Sequence, residues 1–103
     1  MIKINSLALK TAFQAFIAQE VYIHSEATSF VFVRNFKVSL TEAHIAGEGP
    51  YRIALRFDEL GWLRTEALTH YEVTVDVKLL LAGYDDKGRM NVALQLGKEP
   101  FPE

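Results

Sequence analysis

The chain has 103 residues, half of them hydrophobic and 12% aromatic, with 11 basic and 13 acidic side chains and no cysteine. That length leaves room for one core, and the apolar content excludes a disordered chain. Lack of cysteine excludes a disulfide scaffold, a zinc finger and thiol chemistry. The charges are interspersed at a net of −2. They make no basic face able to displace counterions from phosphate, so nucleic acid is not an expected partner. No run approaches the roughly 20 apolar residues of a membrane span. Lys10, Thr11 and Gln14 interrupt an apolar opening that otherwise resembles a signal peptide. The expectation is a soluble cytoplasmic protein with no cofactor and no membrane partner.

Residues 6–20 carry Leu9, Phe13, Phe16 and Ile17 at the spacing of one helical face, with Asn5 or Ser6 placed to cap it. From Val21 onward β-branched and aromatic residues dominate. Val21–Ile23 suits a short strand, and Ser25–Ser29 suits a turn. Phe30-Val31-Phe32-Val33 is apolar on both faces, the pattern of a strand covered on both sides. Phe36, Val38 and Leu40 then share one face, but Ala43 and Ile45 fall on the opposite parity. A flip of that kind predicts a bulge near Thr41-Glu42.

Gly47–Pro50 is a turn, and Tyr51, Ile53, Leu55 and Phe57 alternate as a half-buried strand. In residues 59–68, Leu60, Leu63 and Ala67 suit a short helix capped by Asp58, although Gly61 weighs against it. Tyr71 through Leu81 alternates over its full length and predicts one long strand. The closing hairpin is expected to turn at Asp85–Gly88, setting Leu81 beside Val92, Leu79 beside Leu94 and Val77 beside Leu96. Residues 1–97 thus read as a single α+β domain: an N-terminal amphipathic helix packed on a curled antiparallel meander of four to five strands. Residues 98–103, with Pro100-Phe101-Pro102, read as a C-terminal tail.

Chemistry is thinly signalled. Each histidine has a glutamate two residues away, as His24 and Glu26, Glu42 and His44, His70 and Glu72. In a strand, residues i and i+2 share a face, so each pair places an imidazole beside a carboxylate. Neighbouring strands would collect Glu42, His44, Arg52, Arg56, His70, Glu72 and Asp76. Glu42, His44, His70, Glu72 and Asp76 are the candidates for acid–base work, and His44, His70 and Glu72 for a metal. Solvated outer-face residues explain the same pattern more simply. The sequence leans against an enzyme, since it contains no calcium-loop, phosphate-loop or nucleophile-elbow motif.

The aromatic surplus says more. One helix cannot comfortably cover so many large side chains, and Phe30–Val33 and Leu79–Leu81 ask for burial on both sides. The favoured expectation is a homodimeric, non-catalytic binding domain gripping a protein, a peptide or an apolar small ligand. Phe32, Phe57, Trp62 and Tyr71 are its candidate contact residues. The alternative is a small cavity enzyme using a His/Glu acid–base or metal site on the polar sheet face.

Overall fold

The computed structural model describes residues 1–28 and 30–102. Its elements in chain order are β1 (Ile2–Lys3), α1 (Ser6–Gln14), β2 (Gln19–Ala27), β3 (Val31–Gly47), β4 (Tyr51–Phe57), β5 (Gly61–Leu68), β6 (His70–Val73), β7 (Leu79–Tyr84) and β8 (Met90–Gly97). The strands form one antiparallel sheet in the order β1-β6-β7-β8-β2-β3-β4-β5. This overturns the α+β expectation: among the described residues eight strands stand where four to five were expected, against a single helix of 9 residues. No helix among the described residues is long and apolar enough to cross a membrane.

The strand order has a geometric consequence. β5 ends one side of the sheet and β6 lies next to the other end, yet only Thr69 separates them in the chain. Such an order is buildable only if the sheet curls round until its two ends meet. The seam is hydrogen-bonded there: the Thr69 N–H donates to the Ala82 carbonyl at 2.9 Å, and the Tyr84 N–H donates to Thr69 Oγ1 at 3.1 Å. Ala67, at φ 62°, supplies the bend that moves the chain from pairing with β4 to pairing with β7.

Curling turns the alternating strands into a core. Val21, Ile23, Leu40, Ile53, Leu55, Leu68, Leu79, Leu81, Leu94 and Leu96 are all fully buried. Leu9, Phe13 and Phe16 join the same cluster from the α1 segment. Asn5 caps α1 by accepting from the Ala8 N–H at 3.0 Å, satisfying a donor that the first turn leaves unpaired. The helix stops at Gln14 rather than running to 20. Residues 15–18 turn, Ala18 takes φ 63°, and its N–H donates to the Leu40 carbonyl. Phe16 keeps its place in the helical spacing while the backbone has already left the helix.

Other boundaries move for similar reasons. β2 runs from Gln19 through Ala27, so residues 25–27 of the expected turn are strand, and Ser29 lies outside the described residues. Residues 61–68 are strand β5 rather than helix, since Leu63 pairs with Leu55 and Thr65 with Ile53 on the inner face. The long strand expected over 71–81 folds back on itself, with β6 pairing to β7 through a turn at residues 74–77. Thr74 makes that turn, its Oγ1 accepting from the Lys78 N–H and donating to Asp76. The parity flip near Thr41-Glu42 is a register shift between Leu40 and Glu42.

The closing hairpin is displaced by two residues from the expected register. Leu79 faces Leu96, Leu81 faces Leu94 and Gly83 faces Val92. A shift of two keeps every side chain on its face, so alternation alone cannot detect it. The turn chemistry decides instead: Asp85 accepts from the N–H groups of Lys87 and Arg89, each at 2.9 Å, and Tyr84 pairs with Met90. After Gly97 the chain packs back on the sheet. Phe101 is buried, and its backbone exchanges two hydrogen bonds with the Asn35 side chain at 2.7 and 3.0 Å.

Candidate functional site

Two of the three histidine–glutamate pairs form. His44 Nε2 lies 3.0 Å from Glu42, and His24 Nε2 lies 3.2 Å from Glu26. The third does not. His70 Nδ1 is 2.7 Å from Thr69 Oγ1, whereas Glu72 lies 3.6 Å from the N-terminal ammonium. His24 is buried on β2, and Arg34 donates to its Nδ1 at 3.1 Å. Because arginine can only donate, Nδ1 is the acceptor and Nε2 carries the hydrogen toward Glu26. Both ring nitrogens of His24 are thereby satisfied inside a structural network.

Glu42, His44, Arg56 and Trp62 meet on the outer face of β3, β4 and β5. Arg56 donates to Glu42 at 3.1 Å, its guanidinium lies 5.7 Å from the Trp62 ring, and His44 sits 5.8 Å from the same ring. The hydrogen bond from His44, and then the hydrogen bond and charge of Arg56, hold the Glu42 carboxyl below the ordinary glutamate range. These groups are half-exposed, which suits a screened surface network. Arg52 pairs with Glu66 at 3.0 Å farther along the same face. Because the folded Glu42 carboxyl titrates low, the ion-pair stabilisation is present above the ordinary glutamate value and is lost as pH falls through the lowered one. Replacing His44 with alanine is therefore expected to raise the Glu42 midpoint toward the ordinary value. Carbon-detected NMR titration would read this, and an unmoved midpoint would refute the assignment.

The remaining candidates lie elsewhere. Asp76 sits in the 74–77 turn with Thr74 and Lys78. His70 and Glu72 are on β6, four places from β3 in the sheet order. No three histidine or acidic side chains converge in a metal-binding group among the described residues. His70 does border a polar cavity of about 360 Å³ with Lys3, Glu48, Tyr51, Thr69 and Tyr84. It stands edge-on to Tyr84 at 5.1 Å, without Glu42, His44, Glu72 or Asp76 beside it.

The apolar candidates divide more usefully. Phe57 and Trp62 line a cavity of about 350 Å³ together with Ile23, Val33, Phe36 and Leu60. β3 pairs with β4 only from Leu40 onward, so its first half leans away from the β4–β5 turn. The cavity opens at that splayed corner. Among the described residues, Ser25 supplies its one hydroxyl, and no charged or imidazole side chain lines it. Tyr71 is elsewhere, buried in the core, and Phe32 stands on the outer face, edge-on to His24 at 5.3 Å.

Phe30-Val31-Phe32-Val33, expected to be covered on both faces, is instead exposed. Phe30 is 90% exposed, Phe32 65% and Phe36 45%, and across the corner Leu60 is 70% and Trp62 56% exposed. Sequence reading missed Ile23, Val33, Phe36 and Leu60 as cavity residues. Leu60 was hidden by the helical spacing of 59–68, and the other three look like ordinary inward strand positions. The signal available was Asp58-Glu59-Leu60-Gly61, a turn sequence with an apolar residue at its tip.

An antiparallel sheet closed on itself, with one apolar corner left open, defines a small β-barrel-like domain with a mouth. A family model described as "Protein of unknown function (DUF1806)" matches residues 27–101. The chain belongs to that family. It is similar to the uncharacterized protein YojF of Bacillus subtilis (strain 168), at 33% identity over 90% of this chain and 91% of that one. The crystal structure of the Bacillus subtilis YojF protein superposes with a TM-score of 0.89 at 34% identity, covering 98% of this chain and 96% of that one. The same curled architecture is therefore present in a solved relative.

Proposed function

We propose that this chain is a non-catalytic binding domain that holds an apolar group in the corner cavity. One observation carries the reading: a cavity of about 350 Å³ walled by Ile23, Val33, Phe36, Phe57, Leu60 and Trp62 lies open within an exposed apolar surface. Apolar side chains left in water cost roughly 25 cal/mol per Å² relative to burial, so an apolar occupant gains affinity by covering them. Concave, mostly apolar walls with few polar groups are the usual make-up of a small-ligand site. Among the described residues, the lining holds no acid, base or nucleophile beyond Ser25, and this supports binding over catalysis.

Trp62 is the single tryptophan, so the tryptophan fluorescence comes from one residue at the edge of this corner. Titrating low-micromolar protein with 8-anilinonaphthalene-1-sulfonate is expected to change that emission saturably, at one site per chain. Leu60→Glu, at an exposed position, should abolish the saturable change while leaving the melting temperature nearly unaltered. A linear, non-saturating response in the unmodified protein would remove the proposal.

A further inference from the structure

The side chains of the corner cavity are apolar except at one point, and that point is buried. Ser25 lines the cavity and is only 7% exposed. It sits on the inner face of β2, paired with Val33 of β3 on one side and Leu94 of β8 on the other. Neither of those side chains can donate or accept a hydrogen bond. Among the described residues the Ser25 hydroxyl has no hydrogen-bond partner, and no side-chain polar atom is both wholly buried and unpartnered. The hydroxyl therefore borders the open space of the cavity. We infer that the corner takes a small neutral apolar molecule ending in one hydroxyl or carbonyl group, which enters polar end first and pairs with Ser25 Oγ. The inference rests on the reading of the corner as a binding site for an apolar group.

The backbone bends to build this floor. Strict alternation would send Val33 and Phe36 to opposite faces of β3. The pairing of β2 with β3 slips between Ile23 and Ser25, where Arg34 and Asn35 stand against His24 alone, and Asn35 takes φ 58°. A bulge of this kind re-aims the side chains around it. Val33 and Phe36 thereby both face the cavity, beside Ser25 and Ile23. Ile23 and Phe57 are buried at the closed end, while Leu60 and Trp62 are exposed at the rim. An occupant thus meets its polar partner at the closed end and apolar walls toward the mouth.

Polarity sets the head group. An unpaired hydroxyl in an apolar site carries a cost that a hydrogen-bonding occupant removes. A carboxylate or ammonium head is a poorer fit, because among the described residues no charged side chain lines the cavity to pair with it. Volume sets the body. About 350 Å³ is at the lower end of the roughly 300–1,000 Å³ of ligand sites, which suits one or two rings over a long acyl chain.

The test compares 2-phenylethanol, propylbenzene and phenylacetate, probes of similar size, by amide-correlation NMR titration of the unmodified chain and of Ser25→Ala. Binding is read as saturable shifts at the Val33 and Gly61 amides. Ser25→Ala is expected to weaken 2-phenylethanol about fivefold to tenfold, the worth of one neutral hydrogen bond, and to hold propylbenzene at least as tightly. Phenylacetate should bind the unmodified chain about tenfold more weakly than 2-phenylethanol, since its charge finds no partner. The melting temperature of the variant should not fall, because the deleted hydroxyl has no partner to lose. Equal loss of the alcohol and the hydrocarbon in Ser25→Ala, or loss of neither, overturns the role of Ser25. Tighter binding of phenylacetate than of the alcohol overturns the neutral class. Both results leave the corner a binding site. No saturable shift with any of these probes would sink the binding-site reading, and this inference with it.

Discussion

Truncating Phe13 to alanine is expected to cost about 3–5 kcal/mol, the usual loss for a buried phenylalanine in a core that cannot collapse round the gap. Phe13 is 1% exposed and packs in one cluster with residues from every described strand except β1. Its helix has 9 residues, too short to hold together by its own hydrogen bonds in water. The helix therefore persists because Leu9 and Phe13 are buried, and removing one of these anchors frees the segment and opens the core beneath it. Since domains of this kind are stable by only about 5–15 kcal/mol, the variant should lose a large share of its stability. Urea unfolding followed at Trp62 would measure it. A cost under about 1 kcal/mol would mean that the core does not depend on the helix.

Gly83→Ala is expected to be nearly as damaging, for the opposite reason. A Cβ at this position would overlap the Ala67 carbonyl oxygen and come within 2.5 Å of the Val92 side chain. The carbonyl is backbone and cannot swing away. Ala67 and Thr69 form the seam where the curled sheet meets itself, so the added methyl forces that seam apart. Overpacking a close backbone approach costs about 1–3 kcal/mol, and occasionally more. A specific signature should accompany the loss: faster hydrogen exchange at the Thr69 amide, which donates to Ala82 across the seam. A variant as stable as the parent, with Thr69 still protected, would contradict closure of the sheet at this point.

Legibility in the sequence follows what side-chain alternation can and cannot encode. Alternation marked Tyr51–Phe57, and the parity flip marked the irregularity at Leu40–Glu42, because both concern which face a residue occupies. Alternation is blind to a two-residue slip, which is why the final hairpin was displaced while its faces were right. It is blind also to a turn that preserves parity. Thr74 and Asp76 close such a turn with side-chain hydrogen bonds and no glycine or proline to announce it, so the alternating run from Tyr71 to Leu81 concealed two strands. Leu60, Leu63 and Ala67 carried a helical spacing that pairing with β4 overrode.

The fold class failed at the same point. Splitting one strand, and converting residues 61–68 from helix to strand, turns a meander beside a helix into an eight-stranded curled sheet. The candidate site was half legible. Phe57 and Trp62 were marked by their size and do stand together, but their union with Val33, Phe36 and Leu60 depends on a splayed corner that only the pairing reveals. The histidine–glutamate spacing predicts three local pairs and a shared polar face, whereas two pairs form and the face does not gather, since His44 and His70 belong to strands far apart in the sheet order.

The most direct test of the central claim is to map where an apolar probe lands. In an amide-correlation NMR titration with 8-anilinonaphthalene-1-sulfonate, saturable shifts are expected at the Trp62 indole N–H and at the amides of Val33, Phe36 and Gly61. His70, Tyr84 and Asp76 should stay in place. Shifts gathered around His70 and Tyr84 would move the binding site to the polar cavity, and shifts scattered over the surface without saturation would contradict a corner binding site altogether.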